Sequence, residues 1–244
     1  MNSGTYWLFL AILPTIAFLY SCVGHGGASG YLAIMVLFSF PTETMKQTAL
    51  ILNIFVAGVA FYQYYKAGHF NFNLFIWFAL GSIPAAFLGG SILLEPSFYK
   101  KILGILLMIA ILRIIFKTKN SHQIQEVNKI YAVGFGLLIG LFSGLIGIGG
   151  GILLTPLLLL LRWGNIKEVA AVSALFIFVN SVAALLGQLS LGIDFSLLTL
   201  PMIVAVLIGG TIGSYYGSTK WRFKRLEYLL IVVLGSASLK LVFF

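Results

Sequence analysis

Charge is what this chain has least of. Only 9% of its 244 residues are Asp, Glu, Lys or Arg, where a soluble domain carries about a quarter. The mean hydropathy is +1.06, which excludes an ordinary soluble domain and reads as an all-α polytopic membrane protein. Cys22 is the single cysteine. That excludes an internal disulfide and any two-cysteine metal or redox site. No Lys or Arg precedes Lys46, so the charged n-region of a signal peptide is missing, and residues 5–22 read as a retained span despite a faint lipoprotein-like "LYSC" (19–22). The apolar stretches hold no central Asp or Glu, so a carboxylate proton relay has no member. A membrane-embedded enzyme would need convergent acids, histidines or thiols. None are in sight, and neither an enzyme, a cofactor nor a bound metal is expected.

The 15 basic residues outnumber the 6 acidic ones. In a soluble protein that excess would hint at nucleic acid. Here it lies mostly between apolar stretches, where it anchors loops at lipid headgroups, so no nucleic-acid partner is expected. Glu43, Glu95, Glu168 and Asp194 fall at span ends and read as loop residues, and Glu227 has Lys224 nearby as a partner. Aromatics such as Trp7, Tyr65, Trp163 and Trp221 gather near predicted ends, as in an interfacial belt.

What the sequence does have is long apolar runs. With about 20 residues needed to cross the hydrocarbon core, they read as eight membrane-crossing segments. These lie at about 5–40, 47–65, 70–94, 98–117, 130–161, 169–193, 195–219 and 226–243. Residues 118–129 form the most polar stretch and separate a first transmembrane repeat (1–117) from a second (130–244). The stretches 5–40 and 130–161 are too long for one span and too short for two. Each carries a glycine cluster, "GHGGASG" (24–30) and "GIGGG" (147–151), followed by about ten apolar residues. Ten helical residues rise about 15 Å, half the hydrocarbon core. Each stretch therefore reads as a helix, a glycine break and a half-helix.

The two clusters expose a duplication. Gly24, Gly26 and Gly27 recur 123 positions on as Gly147, Gly149 and Gly150. Thr48-Ala49-Leu50 recurs as Ser173-Ala174-Leu175, and Lys100-Lys101 as Lys224-Arg225. Asn53 pairs with Asn180 less tightly, by two residues. Transporters are often built from such repeats. Four crossings per half make the halves parallel; a fifth, through the half-helix, would invert them, and the parallel arrangement is the expectation. The basic-residue bias between loops places both termini outside.

Irregular backbone survives at membrane depth only where it is buried in protein or lines a wet cavity. Glycine permits the sharp turn and a close approach. The freed N–H groups, with the partial positive charge at the start of the following half-helix, suit a small anion. The competing reading is that small residues merely let helices pack closely. Candidate substrate-binding residues are Gly26, Gly27, Gly149, Gly150 and Gly151, with Ser29, Asn53 and Asn180 as hydrogen-bond donors. Thr155 and Ser173 are further hydroxyl donors, although such hydroxyls often bond back to their own helix. His25, inside the first cluster, is set to titrate, to pair with an anion when protonated, or to bond a carbonyl as a neutral ring.

"GIGGGILLTP" (147–156) resembles the G-x-G-G-G-x-x-x-x-P motif of the sulfite exporter TauE/SafE family of membrane permeases, at Gly147, Gly149, Gly150, Gly151 and Pro156. The first cluster departs from it, with Ala28 in place of the third consecutive glycine and Ala33 in place of the proline. The eight-span layout and the duplication are similar across nearly the whole chain. The resemblance implies a multi-pass protein of the cell (inner) membrane that transports small sulfur-containing anions such as sulfite or organosulfonates. Its partners would be a small anionic substrate and the lipid bilayer. A homo-oligomer stays open, since any apolar face meets either lipid or another subunit. The expected mechanism is alternating access around the two glycine breaks. The alternatives are an anion channel, with the same turns as its filter, and a non-transporting assembly protein. Pro156 is expected in the first turn of its half-helix, where little hydrogen bonding is lost.

Overall fold

The computed structural model describes residues 3–115, 124–190, 192 and 199–219. Among the described residues all regular structure is helical. The helices are α1 (Ser3–Ser21), α2 (Ala28–Leu37), α3 (Thr42–Lys66), α4 (Phe72–Gly90), α5 (Pro96–Ile115), α6 (Lys129–Ile146), α7 (Gly151–Leu160), α8 (Ile166–Leu189) and α9 (Thr199–Thr219). Five of them, α3, α4, α6, α8 and α9, are long and apolar enough to cross a bilayer. The expected span at 226–243 and most of the polar linker lie outside the described residues.

Both over-long stretches are interrupted at their glycines. α1 stops at Ser21 and the ten-residue α2 starts at Ala28; α6 stops at Ile146 and the ten-residue α7 starts at Gly151. The interruptions need left-handed backbone. φ is +75° at Gly24 and +99° at Gly27, and +85° at Gly147 and +80° at Gly150. These are conformations that a Cβ makes costly. Pro156 is the sixth residue of α7 rather than a first-turn residue. Its ring therefore removes one main-chain bond, to the Ile152 carbonyl.

Helix starts follow from local chemistry. Asn71 accepts from the Leu74 amide to open α4, and Asn128 accepts from Ile130 and Tyr131 to open α6. Asn165 and Glu168 form a reciprocal capping box at α8, so Glu168 has a structural task beyond that of a loop residue. Lys46, expected as a headgroup anchor, is buried at 7% exposure inside α3. Its Nζ donates to the carbonyls of Gly89, Gly90 and Ile92 at 3.3, 3.0 and 3.4 Å. The last carbonyls of a helix lack partners within it and favour a cation, and Lys46 supplies both the donors and the charge to the end of α4.

Packing rests on two glycine ladders. On α6, Gly136, Gly140 and Gly144 recur every four residues and press against the backbone of Phe78, Ser82 and Ala86 on α4. On α9, Gly209, Gly213 and Gly217 press in the same way against Pro14, Phe18 and Cys22, along α1 and its end. A Cβ at any of these positions would meet a carbonyl oxygen at a distance no side chain tolerates. Without a hydrophobic drive between helices in lipid, such close approach is a main source of association. α3 and α8 pack against each other, and the two breaks meet at that contact. Gly140→Val is expected to drive α4 and α6 apart and to destabilise the protein by at least about 1–3 kcal/mol. Gly134→Ala, whose Cβ meets nothing within 4 Å, is expected to be neutral or slightly stabilising. Thermal unfolding of both variants in detergent checks the contrast.

Candidate functional site

Every residue of both breaks is buried except Val23, which is intermediate. Their backbone therefore has to be matched by protein. Asn53, on α3 and fully buried, does most to join them. Its Oδ1 accepts from the Ala28 amide, the first residue of α2, at 3.1 Å. Its Nδ2 donates to the Ile148 carbonyl in the second break at 3.3 Å and to Ser181 Oγ on α8 at 3.1 Å. One amide side chain thus ties two half-helix entries and two long helices. The surrounding backbone leaves no slack. A Cβ at Gly26 would strike Asn53 Oδ1, and one at Gly149 would strike Asn53 Nδ2 and crowd Ile177 and Ser181. Ile177 of α8 also lies against Gly26 and Gly151.

His25 makes the second connection. Nδ1 lies 3.0 Å from the Val23 carbonyl oxygen and Nε2 3.1 Å from that of Gly151. Nε2 is also 3.1 Å from Thr155 Oγ1, itself 2.8 Å from Ser173 Oγ. A polar chain thus runs from the first break through α7 to α8.

The break carbonyls are met by side-chain donors. Tyr31 Oη donates to Gly26 at 2.8 Å, Tyr64 Oη to Cys22 at 2.7 Å and Tyr99 Oη to Ile146 at 3.0 Å. The amides are treated differently. Asn53 Oδ1 serves Ala28, but among the described residues no acceptor is placed on the amides of Ile148, Gly149, Gly150, Gly151 and Ile152. Three of these belong to glycines whose backbone any substituent would distort or block. These amides are consecutive at the start of a helix, where the partial positive charge favours an anion.

With this geometry in place, likeness to known proteins is decisive. Residues 8–241 match the sulfite exporter TauE/SafE family. The chain belongs to that family. It is 34% identical over 237 residues to the probable membrane transporter protein y4hK of Sinorhizobium fredii, covering 93% of this chain and 94% of that one. The probable membrane transporter proteins YunE and YjnA of Bacillus subtilis are 22% and 23% identical over 253 and 236 residues. They cover 91% and 90% of this chain, and 92% of each relative. No solved structure matches. This TauE/SafE chain is a multi-pass membrane transporter.

Among the residues singled out from sequence, the structure brings His25, Gly26, Asn53, Gly149 and Gly151 to one place. Gly27 is packed against the Tyr31 ring, and Gly150 against Phe176 and Ile139. Ser29 points to α1, donating to Tyr20 Oη at 2.9 Å. Asn180 turns back on its own helix, with Nδ2 on the Phe176 carbonyl at 2.7 Å. Asn53 instead finds Ser181, one residue on. Sequence reasoning passed over Ser181 and Tyr31 and placed Tyr64 with the interfacial aromatics, whereas it is buried; only the polar Asn180-Ser181 pair on an apolar α8 hinted at the first. Asn53→Ala is expected to leave the Ala28 amide and the Ile148 carbonyl unmatched, at about 1–3 kcal/mol for each buried group. A lowered unfolding temperature with retained helical circular dichroism is the expected measurement.

Proposed function

We propose that this protein is a carrier for small sulfur-containing anions such as sulfite or organosulfonates, working by alternating access around the two glycine breaks. The observation that carries the reading is the unequal treatment of the break backbone. Carbonyl oxygens there receive donors from Tyr31, Tyr64, Tyr99 and Asn53, whereas the amides from Ile148 to Ile152 receive no acceptor among the described residues. A cation would need the carbonyls, while an anion needs the amides. Membership of a family described as sulfite exporters supports the sulfur-oxyanion class, and the tetrahedral or pyramidal oxygens of such anions suit several N–H donors.

Two repeated halves account for the packing. α1 lies on α9, α4 lies on α6, and α3 meets α8. Such exchange of partners is what a two-fold relation between halves 1–117 and 130–244 would produce. The left-handed glycines at 24 and 27 and at 147 and 150 keep the same spacing. Rocking one half against the other would then open the amides to each side in turn.

Purified protein in liposomes is expected to take up labelled sulfite or sulfonate in a saturable manner, accelerated by the same anion inside the vesicle. Single-channel currents instead would favour a filter. Gly150→Val is expected to abolish uptake, because its Cβ would press on Phe176 and Ile139 at 2.8 and 2.9 Å and its backbone requires a φ of +80°. Gly134→Ala is expected to transport normally. Absence of both flux and calorimetric binding for these anions would refute the carrier reading.

A further inference from the structure

His25 is the one imidazole within the breaks, and each of its ring nitrogens faces a carbonyl oxygen: Val23 at 3.0 Å and Gly151 at 3.1 Å. A neutral ring has one N–H and one lone pair. It can serve only one of the two carbonyls, and the other faces a lone pair. An imidazolium serves both. The neutral form has its own support, because Thr155 Oγ1 lies 3.1 Å from Nε2 and can donate to the lone pair, with Ser173 donating in turn to Thr155 across 2.8 Å. When the ring is protonated, the hydroxyl chain reverses and Thr155 donates to Ser173. Two protonation states are thus accommodated by rotating two hydroxyls, with no movement of the ring.

The ring sits where a charge would matter. Its Cδ2 is 3.3 Å from the position a Cβ of Gly151 would take, beside the amides at the start of α7 on which no acceptor is placed among the described residues. Histidine ordinarily changes charge between pH 5 and 8. On the neighbouring elements, α1 and its end carry Tyr20 and Cys22, and α2 carries Tyr31. Lys46 and Tyr64 lie on α3, Lys167 and Glu168 in the first turn of α8, and α7 carries no titratable group. Lys46 is committed to the carbonyls ending α4, Glu168 to the Asn165 amide, and Tyr31 and Tyr64 to break carbonyls.

We infer that His25 couples a proton to the anion. The ring takes up one proton as the anion settles on the α7 amides, and releases it to water on the side where the anion leaves. This rests on the anion-carrier reading. A monoanion and a proton together cross as a neutral pair, which removes the cost of carrying an isolated charge through a low-dielectric interior.

Methanesulfonate is the probe, because its charge is constant over the useful pH range; sulfate is the second. Calorimetry in two buffers of different ionisation enthalpy is expected to show uptake of one proton per anion near the titration of His25. The dissociation constant should rise about tenfold per pH unit above it. His25→Gln is expected to bind more weakly with a flat pH profile. A purely structural role for the ring would weaken binding and leave the slope in place. If that variant fails to fold, ¹⁵N NMR of histidine-labelled His69→Gln/His122→Gln protein decides. A ring nitrogen that titrates only together with the anion supports the coupling, and one neutral tautomer from pH 5 to 9, with and without anion, overturns it. Anion binding without proton uptake overturns the coupling and leaves the carrier. No binding of either anion, or of sulfite, removes the carrier and the coupling with it.

Discussion

A bilayer core offers the backbone nothing to bond with, so every peptide group outside a helix has to be matched from within the protein or line a water-filled cavity. This chain places two non-helical segments, 22–27 and 147–150, among buried residues, and much of the surrounding arrangement answers that constraint. α3 contributes Asn53 and Tyr64, α2 contributes Tyr31, α5 contributes Tyr99, and the first break contributes His25 to the second. Each of these side chains has a reach fixed by its helix. Any motion of one half against the other therefore has to exchange these bonds for others.

The glycine ladders make that reach short enough. Gly217 on α9 presses on the backbone of Cys22, at the edge of the first break, and Cys22 also receives the Tyr64 hydroxyl. Gly144, last of the ladder on α6, presses on Ala86 three residues before the second break opens at Gly147. Both ladders thus run up to a break and hold the adjoining helix end against a neighbour. Lys46 acts in the same region: its Nζ closes the end of α4, while its backbone and side chain lie about 3 Å from the place a Cβ of Gly147 would take. Close packing and donor placement are therefore two parts of one solution. Glycine supplies the approach, and Tyr, Asn and His supply the bonds.

Much of this was legible in the sequence, because glycine clusters and run lengths are local signals. The breaks and the half-helices follow from counting residues between charges. Gly26, Gly149 and Asn53 could be singled out because glycine and asparagine are unusual inside an apolar run. What sequence could not convey was partnership. Asn53 and Asn180 look equivalent, yet one reaches across the contact between α3 and α8 while the other folds back on Phe176. That depends on helix rotation, which an almost uniformly apolar α8 does not encode. Lys46 misled for the opposite reason. A charge at the edge of a span ordinarily snorkels to water, and only the nearby end of α4 and the residues just after it gave it three carbonyl acceptors. The ladders at 136, 140, 144 and at 209, 213, 217 were present as a four-residue spacing, but glycines at that spacing name no partner helix.

The same matching that stabilises the breaks also sets their polarity. Among the described residues, most side chains sent to them bring a donor to a carbonyl, and Asn53 Oδ1 alone is placed as an acceptor on an amide. A site built for cations would be the reverse, with carbonyls left open and amides closed off. Each hydrogen bond from an open amide to a charged ligand is worth about 1.5–3 kcal/mol, against several kcal/mol to strip an ion of its water. A short run of such donors therefore offsets desolvation without a permanent cationic side chain at the site. That balance would suit the proposed carrier, which has to release what it binds: a fixed Lys or Arg beside the amides would add an attraction that persists on both sides of the membrane. An imidazole is the exception, because its charge can leave together with the ligand.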